Sequence, residues 1–281
     1  MLKKIKNLPW SPGKRIYVLI WVISSCLLFD NSAMHAQEST PLTEIFHSTQ
    51  SANLPTAMML RSGEGILEIS HRFLPPISDG PDVLWGLDGP AYNRLGLGFA
   101  VTDKLLLGVL RSSLEDNLEV NTKVHLAQKD GSKPWVASAV LGSSWDFESN
   151  SQDLRTEVYL QLILNTLLTD KIAIGVVPSL LRGVSEEGLV RTDFALGLNG
   201  QFSVSRRINL IAEWIATEAR SATPNDVGTF GIEFRTRGHF FKILLSNQVR
   251  MNPSQYLAGS PFGLHPKEWR LGFNVIRILR F

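Results

Sequence analysis

From Gly65 to the C-terminus, apolar and polar residues alternate with period two in segment after segment, and helical periodicity is scarce. The alternation predicts twelve strands, over 66–73, 92–102, 105–112, 117–127, 135–147, 156–168, 171–182, 191–204, 207–217, 227–236, 239–248 and 269–281. Several are cleanly two-faced. Phe194, Leu196, Leu198 and Phe202 share one side of a strand, and Asp193, Asn199 and Gln201 share the other. Phe230, Ile232 and Phe234 oppose Glu233 and Arg235 in the same way.

Alternation alone does not say which face is dry, because a soluble barrel is apolar inside and a membrane barrel apolar outside. The connections decide. Tight turns at Thr102-Asp103-Lys104, Thr169-Asp170-Lys171, Ser205-Arg206 and Arg237-Gly238, and the Lys129–Pro134 turn, all follow even-numbered strands. The long connections, such as 74–91, 218–226 and 249–268, follow odd-numbered ones. Short turns on one rim and long loops on the other are the habit of transmembrane barrels of bacterial outer membranes. Trp135 and Trp145 lie on one face, ten residues apart, with Ala137, Ala139 and Leu141 between them. That separation is ~33 Å along a strand, or roughly 25 Å of height at a tilt of ~40°, the spacing of two aromatic girdles. The expected architecture is an all-β, transmembrane, antiparallel up-and-down barrel of about 12 strands, with short periplasmic turns and longer extracellular loops.

The two ends agree with export. Lys3, Lys4, Lys6, Lys14 and Arg15 precede an apolar run, Ile16–Phe29, that is short for a membrane-spanning helix. Small residues around Ala36 then place cleavage after it, so residues 1–36 read as a signal peptide, 37–63 as a periplasmic N-terminal extension and 64–281 as the barrel. Cys26, the single cysteine, lies in a weak lipoprotein-like box but is followed by Leu27-Leu28-Phe29, unlike the polar start of a mature lipoprotein. The whole chain carries 28 Lys/Arg against 26 Asp/Glu. Five of those bases and Asp30 fall in the leader, so acids outnumber bases in what remains, and nothing in the charge points to nucleic acid. With Cys26 removed no disulfide forms, and stability rests on hydrogen bonds and packing.

The chain closes on Phe281, a terminal aromatic at the end of a strand, which reads as a signal to the barrel assembly machinery. Deleting Phe281 should lower assembled protein far more than synthesis; unchanged heat-modifiable mobility on gels would count against that role. The last strand is not simple, because Arg277 shares a face with Phe273, Val275, Leu279 and Phe281. Either Arg277 snorkels to headgroups or the strand carries a bulge.

The predicted inner face holds Glu68, Arg72, Arg94, Glu119, Lys123, His125, Glu157, Gln161, Asp193, Gln201, Asn209, Glu213, Glu233, Arg235 and Lys242. Twelve strands enclose a modest interior, so most of these are expected to pair across it and fill it. The sharper alternative is a path for a small polar solute. Residues 37–62 are polar and not strand-like, and Phe46–Thr56 reads as a periplasmic extension, a small plug or a disordered linker.

Catalytic signals are poor. There is no Gly-x-Ser-x-Gly, His-Glu-x-x-His or phosphate-binding glycine loop, and His47, His71, His125, His239 and His265 have no ligand-like spacing. Ser70 and His71 are strand neighbours and point to opposite faces, so they cannot pair as nucleophile and base. Asp79, Asp82 and Asp88 match no calcium loop, and Asp79-Gly80-Pro81 and Asp88-Gly89-Pro90 are turn chemistry. No catalytic residue, cofactor or metal is expected.

Several segments together carry a resemblance: Ser51-Ala52-Asn53-Leu54-Pro55-Thr56, Ile69-Ser70-His71-Arg72-Phe73, Gly86-Leu87-Asp88-Gly89-Pro90-Ala91, the stretch from Arg94 to Ser113, and Leu271–Arg277. The chain resembles a bacterial family of membrane-bound β-barrel domains of unknown function. The resemblance implies the barrel and supplies no activity or functional residue. The expected protein is therefore an integral outer-membrane barrel, non-enzymatic, acting as a narrow pore or scaffold. Its expected partners are outer-membrane lipid, the barrel assembly machinery and a small polar solute. A lipid-acting barrel enzyme and a soluble periplasmic or surface-anchored β-protein are the alternatives.

Overall fold

The structure, a computed structural model, describes residues 44–147, 155–184, 190–218, 220 and 222–281. The signal-peptide reading, Cys26 and residues 37–43 lie outside the described residues. The described residues form one compact unit.

Twelve antiparallel strands close on themselves: β1 (Glu64–Phe73), β2 (Ala91–Thr102), β3 (Leu105–Ser112), β4 (Asn117–Lys129), β5 (Trp135–Asp146), β6 (Arg155–Thr169), β7 (Ile172–Val184), β8 (Val190–Ser203), β9 (Ile208–Thr217), β10 (Val227–Arg235), β11 (His239–Ser246) and β12 (Arg270–Arg280). Each strand pairs with its sequence neighbours, and β1 closes the ring on β12 from Glu64↔Arg280 to Arg72↔Gly272. Closure leaves no edge, so every strand has a partner on both sides.

The faces are inverted relative to a soluble barrel. Leu95, Leu97 and Phe99 on β2, Leu160, Leu162 and Leu164 on β6, and Phe230 and Ile232 on β10 point out and are exposed. Glu68, Arg72, Arg94, Glu119, Glu213 and Lys242 point in and are buried. An apolar outer band and a polar interior are stable only with hydrocarbon around the barrel. Trp135 and Trp145 both lie half-buried on the outer face of β5.

Register shifts occur at Ala100/Thr102, His125/Ala127 and Leu167/Thr169, each at the strand end next to a short turn. β12 carries none against either partner. Of the two readings of Arg277, the bulge is therefore absent, and Arg277 stands exposed on the outer face near the short-turn end of its strand. Ile276 turns inward instead, fully buried against Ile66, Ala100, Leu106 and Phe240.

Candidate functional site: a lumen closed from both rims

The segment before β1 runs inside the barrel. Glu44 pairs with Arg235 at 3.1 Å at the short-turn end of β10, and Gly63 donates to Ala100 O at 2.9 Å where the chain leaves for β1. Between those points the chain climbs into the lumen and returns as a tight hairpin. Ser51 N–H donates to Leu54 O at 2.8 Å and Thr56 N–H to Thr49 O at 3.0 Å. The residues at the bend, Ser51-Ala52-Asn53-Leu54-Pro55, are turn formers with little use in a ladder.

The tip of this re-entrant segment is held by side chains of the wall, because a buried backbone needs partners and no strand is there to supply them. The N–H groups of Ala52, Asn53 and Leu54 converge on the Glu213 carboxylate, at 2.6, 2.9 and 3.0 Å. Three consecutive N–H groups around one carboxylate form an anion nest of charge-assisted bonds. Lys242 takes the opposite polarity: its amine donates to Gln50 O and Ser51 O, both at 2.5 Å, and pairs with Glu233 at 3.0 Å. Asn274 donates to Ala52 O at 2.8 Å, and Arg72 to Asn53 Oδ1 at 3.0 Å. On the returning arm Asn165 accepts from Ala57 N–H at 2.6 Å. Lower down, burial, with the Arg235 guanidinium adding to it, pushes the His47 imidazole below its ordinary range, against Glu44 and Glu233. A neutral ring suits its contact, in which Asn209 Nδ2 lies 2.9 Å from Nδ1.

One arc of the inner wall is apolar. Val136, Val140, Ile163, Val177, Leu181, Ala195 and Ile215, from β5 to β9, pack on Ile45, Phe46, Leu54 and Ala57 of the segment. Leu54 seats where Gly197 lacks a side chain; a Cβ there would lie 2.7 Å from a Leu54 methyl. Beneath, Met59 and Leu60 join the cluster around Ile276. The inner-face residues expected from the sequence were its polar ones and did not include this arc. Its trace in the sequence is Ile172-Ala173-Ile174-Gly175-Val176-Val177, apolar in both phases, as a strand buried on both sides must be.

The connection from β11 to β12 descends from the long-loop rim. Its one α-helical turn, α1 (Pro253–Leu257), is buried throughout. Ser254 donates through N–H (2.9 Å) and hydroxyl to Glu119, Asn252 to Asn117 Oδ1 at 2.5 Å, and Arg94 to Met251 O at 2.5 Å. Tyr256 and Gln161 exchange hydrogen bonds at 3.2 and 3.3 Å. Burial pushes the Tyr256 phenol up, so it remains a neutral donor. Gly259 turns the chain with φ +99°, where a Cβ would meet Thr223 O at 2.7 Å.

The predicted inner-face residues thus engage the two inserted segments more than one another. Glu213, Lys242, Arg72 and Asn209 meet the re-entrant segment, Glu119 and Gln161 meet α1, and Arg94 meets both, while also paired with Glu68. Gln201 accepts from His47 N–H at 3.4 Å. Arg235 holds Glu44, and Lys123 reaches the Met58 and Thr49 carbonyls. Glu157 and Asp193 form a separate cluster with Arg220 from the 218–226 loop, joined by Arg191. His125 is half-buried toward the short-turn rim. Ser70 faces the lumen, whereas His71 stacks on Phe273 outside at 5.0 Å. No group of metal-ligating side chains occurs among the described residues. A cavity of about 100 Å³ remains between the segment, α1 and the wall formed by β1 to β6.

A closed antiparallel ring with an even number of strands, an apolar exterior and a charged interior is a membrane-spanning β-barrel of the outer-membrane class; here its lumen is stoppered from both rims. The chain belongs to the family described as Membrane bound beta barrel domain (DUF5777), which its residues 46–279 match. Similar solved structures include an outer membrane channel from Pseudomonas putida F1, at 13% identity over 79% of this chain and 98% of that one, TM-score 0.46. The KdgM porin is similar at 11% identity over 77% of this chain and 99% of its own, TM-score 0.45. A curated protein, ASTRA-associated protein 1 of Pyricularia oryzae, is 29% identical over 201 residues, 66% of this chain and 42% of that one. The chain therefore spans less than half of that relative.

Proposed function

We propose that the protein is an outer-membrane channel for small polar solutes, kept closed by the re-entrant segment 44–62 at the short-turn rim and by the β11–β12 connection at the other. The observation that carries this is the way the segment is held. It is a loop with both arms at the short-turn rim, the periplasmic side, and its tip is fastened by ordinary hydrogen bonds to Glu213 and Lys242. Nothing covalent ties it to the wall, and the wall behind its tip is charged. Displacing it toward the periplasm, with the β11–β12 connection drawn back at the other rim, would leave a hydrated passage along β10 to β4. The apolar arc favours a second reading, a permanently stoppered scaffold, because Phe46 and Leu54 are packed there as in a core.

Conductance separates the two. Purified protein in planar bilayers should be closed or nearly so, and deletion of residues 44–58 together with replacement of residues 250–259 by a short glycine linker should give unitary steps at least several-fold larger. A deletion variant with intact heat-modifiable mobility and no added conductance would leave the scaffold reading standing and end the channel one.

A further inference from the structure

The cavity between the two inserted segments has a composition of its own. On β2 and β3 part of its wall is bare backbone: Gly98 pairs directly with Gly108, and Gly96 adjoins them. A Cβ on these glycines would lie 2.7, 2.5 and 2.9 Å from Ile66, Asn121 and Leu110, so side chains here would crowd the neighbours that border the space. Gln50 and Pro55 close it on one side and Tyr256 on another.

Two cations and one carboxylate line this space. Glu68 is engaged, accepting from Arg94, Gln50 and Ser70. Arg94 is spent on Glu68 and on the Met251 carbonyl. Lys123 differs. It is 4% exposed, its amine donates to Met58 O at 2.5 Å and Thr49 O at 3.4 Å, and no ion pair among the described residues includes it. An ammonium has three N–H donors, so one is left to point at something other than protein. A buried cation without a carboxylate is unfavourable unless an anion or water answers it.

We infer that this cavity binds a small organic monoanion, a carboxylate of a few carbons, with its charge on the Lys123 amine. The lining favours that class for three reasons. Its unneutralised charge is a single positive one, which suits a monoanion better than a dianion. Its one carboxylate is already bonded, which disfavours a cation. Ile66, Leu106 and Val140 in the lining offer apolar contact for an alkyl group, and Tyr256 and Gln161 add polar side chains. The inference deepens the channel reading, on which it rests for the solute's passage, by naming the class of solute.

Occupancy can be measured without conductance. Propionate titrated calorimetrically into the folded full-length protein in detergent should bind, and propionamide, its neutral counterpart, should not. Lys123→Met should weaken propionate binding at least tenfold, and Lys123→Arg should retain it. Equal heats for propionate and propionamide, or for wild type and a folded Lys123→Met, would overturn the site. Should Lys123→Met not fold, wild-type crystals soaked in bromide decide: an anomalous peak within hydrogen-bond reach of Lys123 Nζ supports the site, and none there refutes it. Propionate binding in a protein that never conducts would sink the channel and keep the site.

Discussion

Replacing Glu213 by alanine should release the tip of the re-entrant segment while the barrel around it stays closed. The carboxylate accepts from three successive backbone N–H groups and from the Asn53 side chain at 3.3 Å. Alanine leaves those donors buried without an acceptor, at about 1–3 kcal/mol each. Relief from burying the carboxylate offsets part of that cost, and a net loss of about 3 kcal/mol is a roughly hundredfold rise in the population of the detached tip. Lys242 keeps its Glu233 partner. The strands keep their ladders. Amide exchange at Ser51–Leu54 should therefore accelerate roughly a hundredfold with strand amides unchanged, and Glu213→Gln, which keeps one acceptor oxygen, should fall between. Equal exchange in wild type and Glu213→Ala would show that the other contacts, polar and apolar, hold the segment without Glu213.

Arginine at position 97 should be among the most damaging single changes on the outer face. Leu97 lies mid-way along β2, is 60% exposed, and sits in register between Leu67 and Val109. In a bilayer that places it near the midplane, where arginine costs about 2–4 kcal/mol. Arg277, outward-facing but near the short-turn end of β12, is the natural control: Arg277→Leu should change stability by less than about 1 kcal/mol, since rim positions tolerate charge. Urea titration of folding into lipid vesicles, followed by tryptophan fluorescence, reads both. A soluble β-protein would respond oppositely, because Leu97→Arg would then place a charge in water. A neutral or stabilising Leu97→Arg would thus revive the soluble alternative.

The barrel was legible in the chain because its determinants are local. Most strands announce themselves by period two, and the expected boundaries differ from the observed ones by no more than two residues. That includes the two shortest of signal, 66–73 and 117–127, which are Glu64–Phe73 and Asn117–Lys129 in the structure. Turn parity supplied the sidedness that alternation lacks. Arg277 shows the limit of the method. A charge in an apolar stripe reads equally as a snorkelling side chain or as a slipped register, and only the unbroken pairing of β12 with both β1 and β11 chooses between them.

The content of the lumen was not legible, for a different reason. Phe46–Thr56 has no periodicity to read, because its backbone is satisfied by side chains of the wall and not by a ladder. Those side chains come from far along the chain: Glu213 lies 161 residues from Ala52, and Asn274 lies 222. The β11–β12 connection is alike, with Ser254 meeting Glu119 across 135 residues.

By itself, then, the amino-acid sequence determined the number of strands, their order, which face meets hydrocarbon and which rim carries the long loops. Each of these follows from neighbours one, two or a few residues apart, and a closed antiparallel ring is what such strands form when none leaves an edge unpaired. Tertiary structure alone decided that the interior is stoppered from both ends, that Glu213 and Lys242 fasten the stopper, and that a chamber beside Lys123 survives. An inward Glu or Lys has the same signature in sequence whether it faces water, a partner strand or a returning loop. Its partner is selected only when the ring closes and brings together residues that the chain keeps far apart.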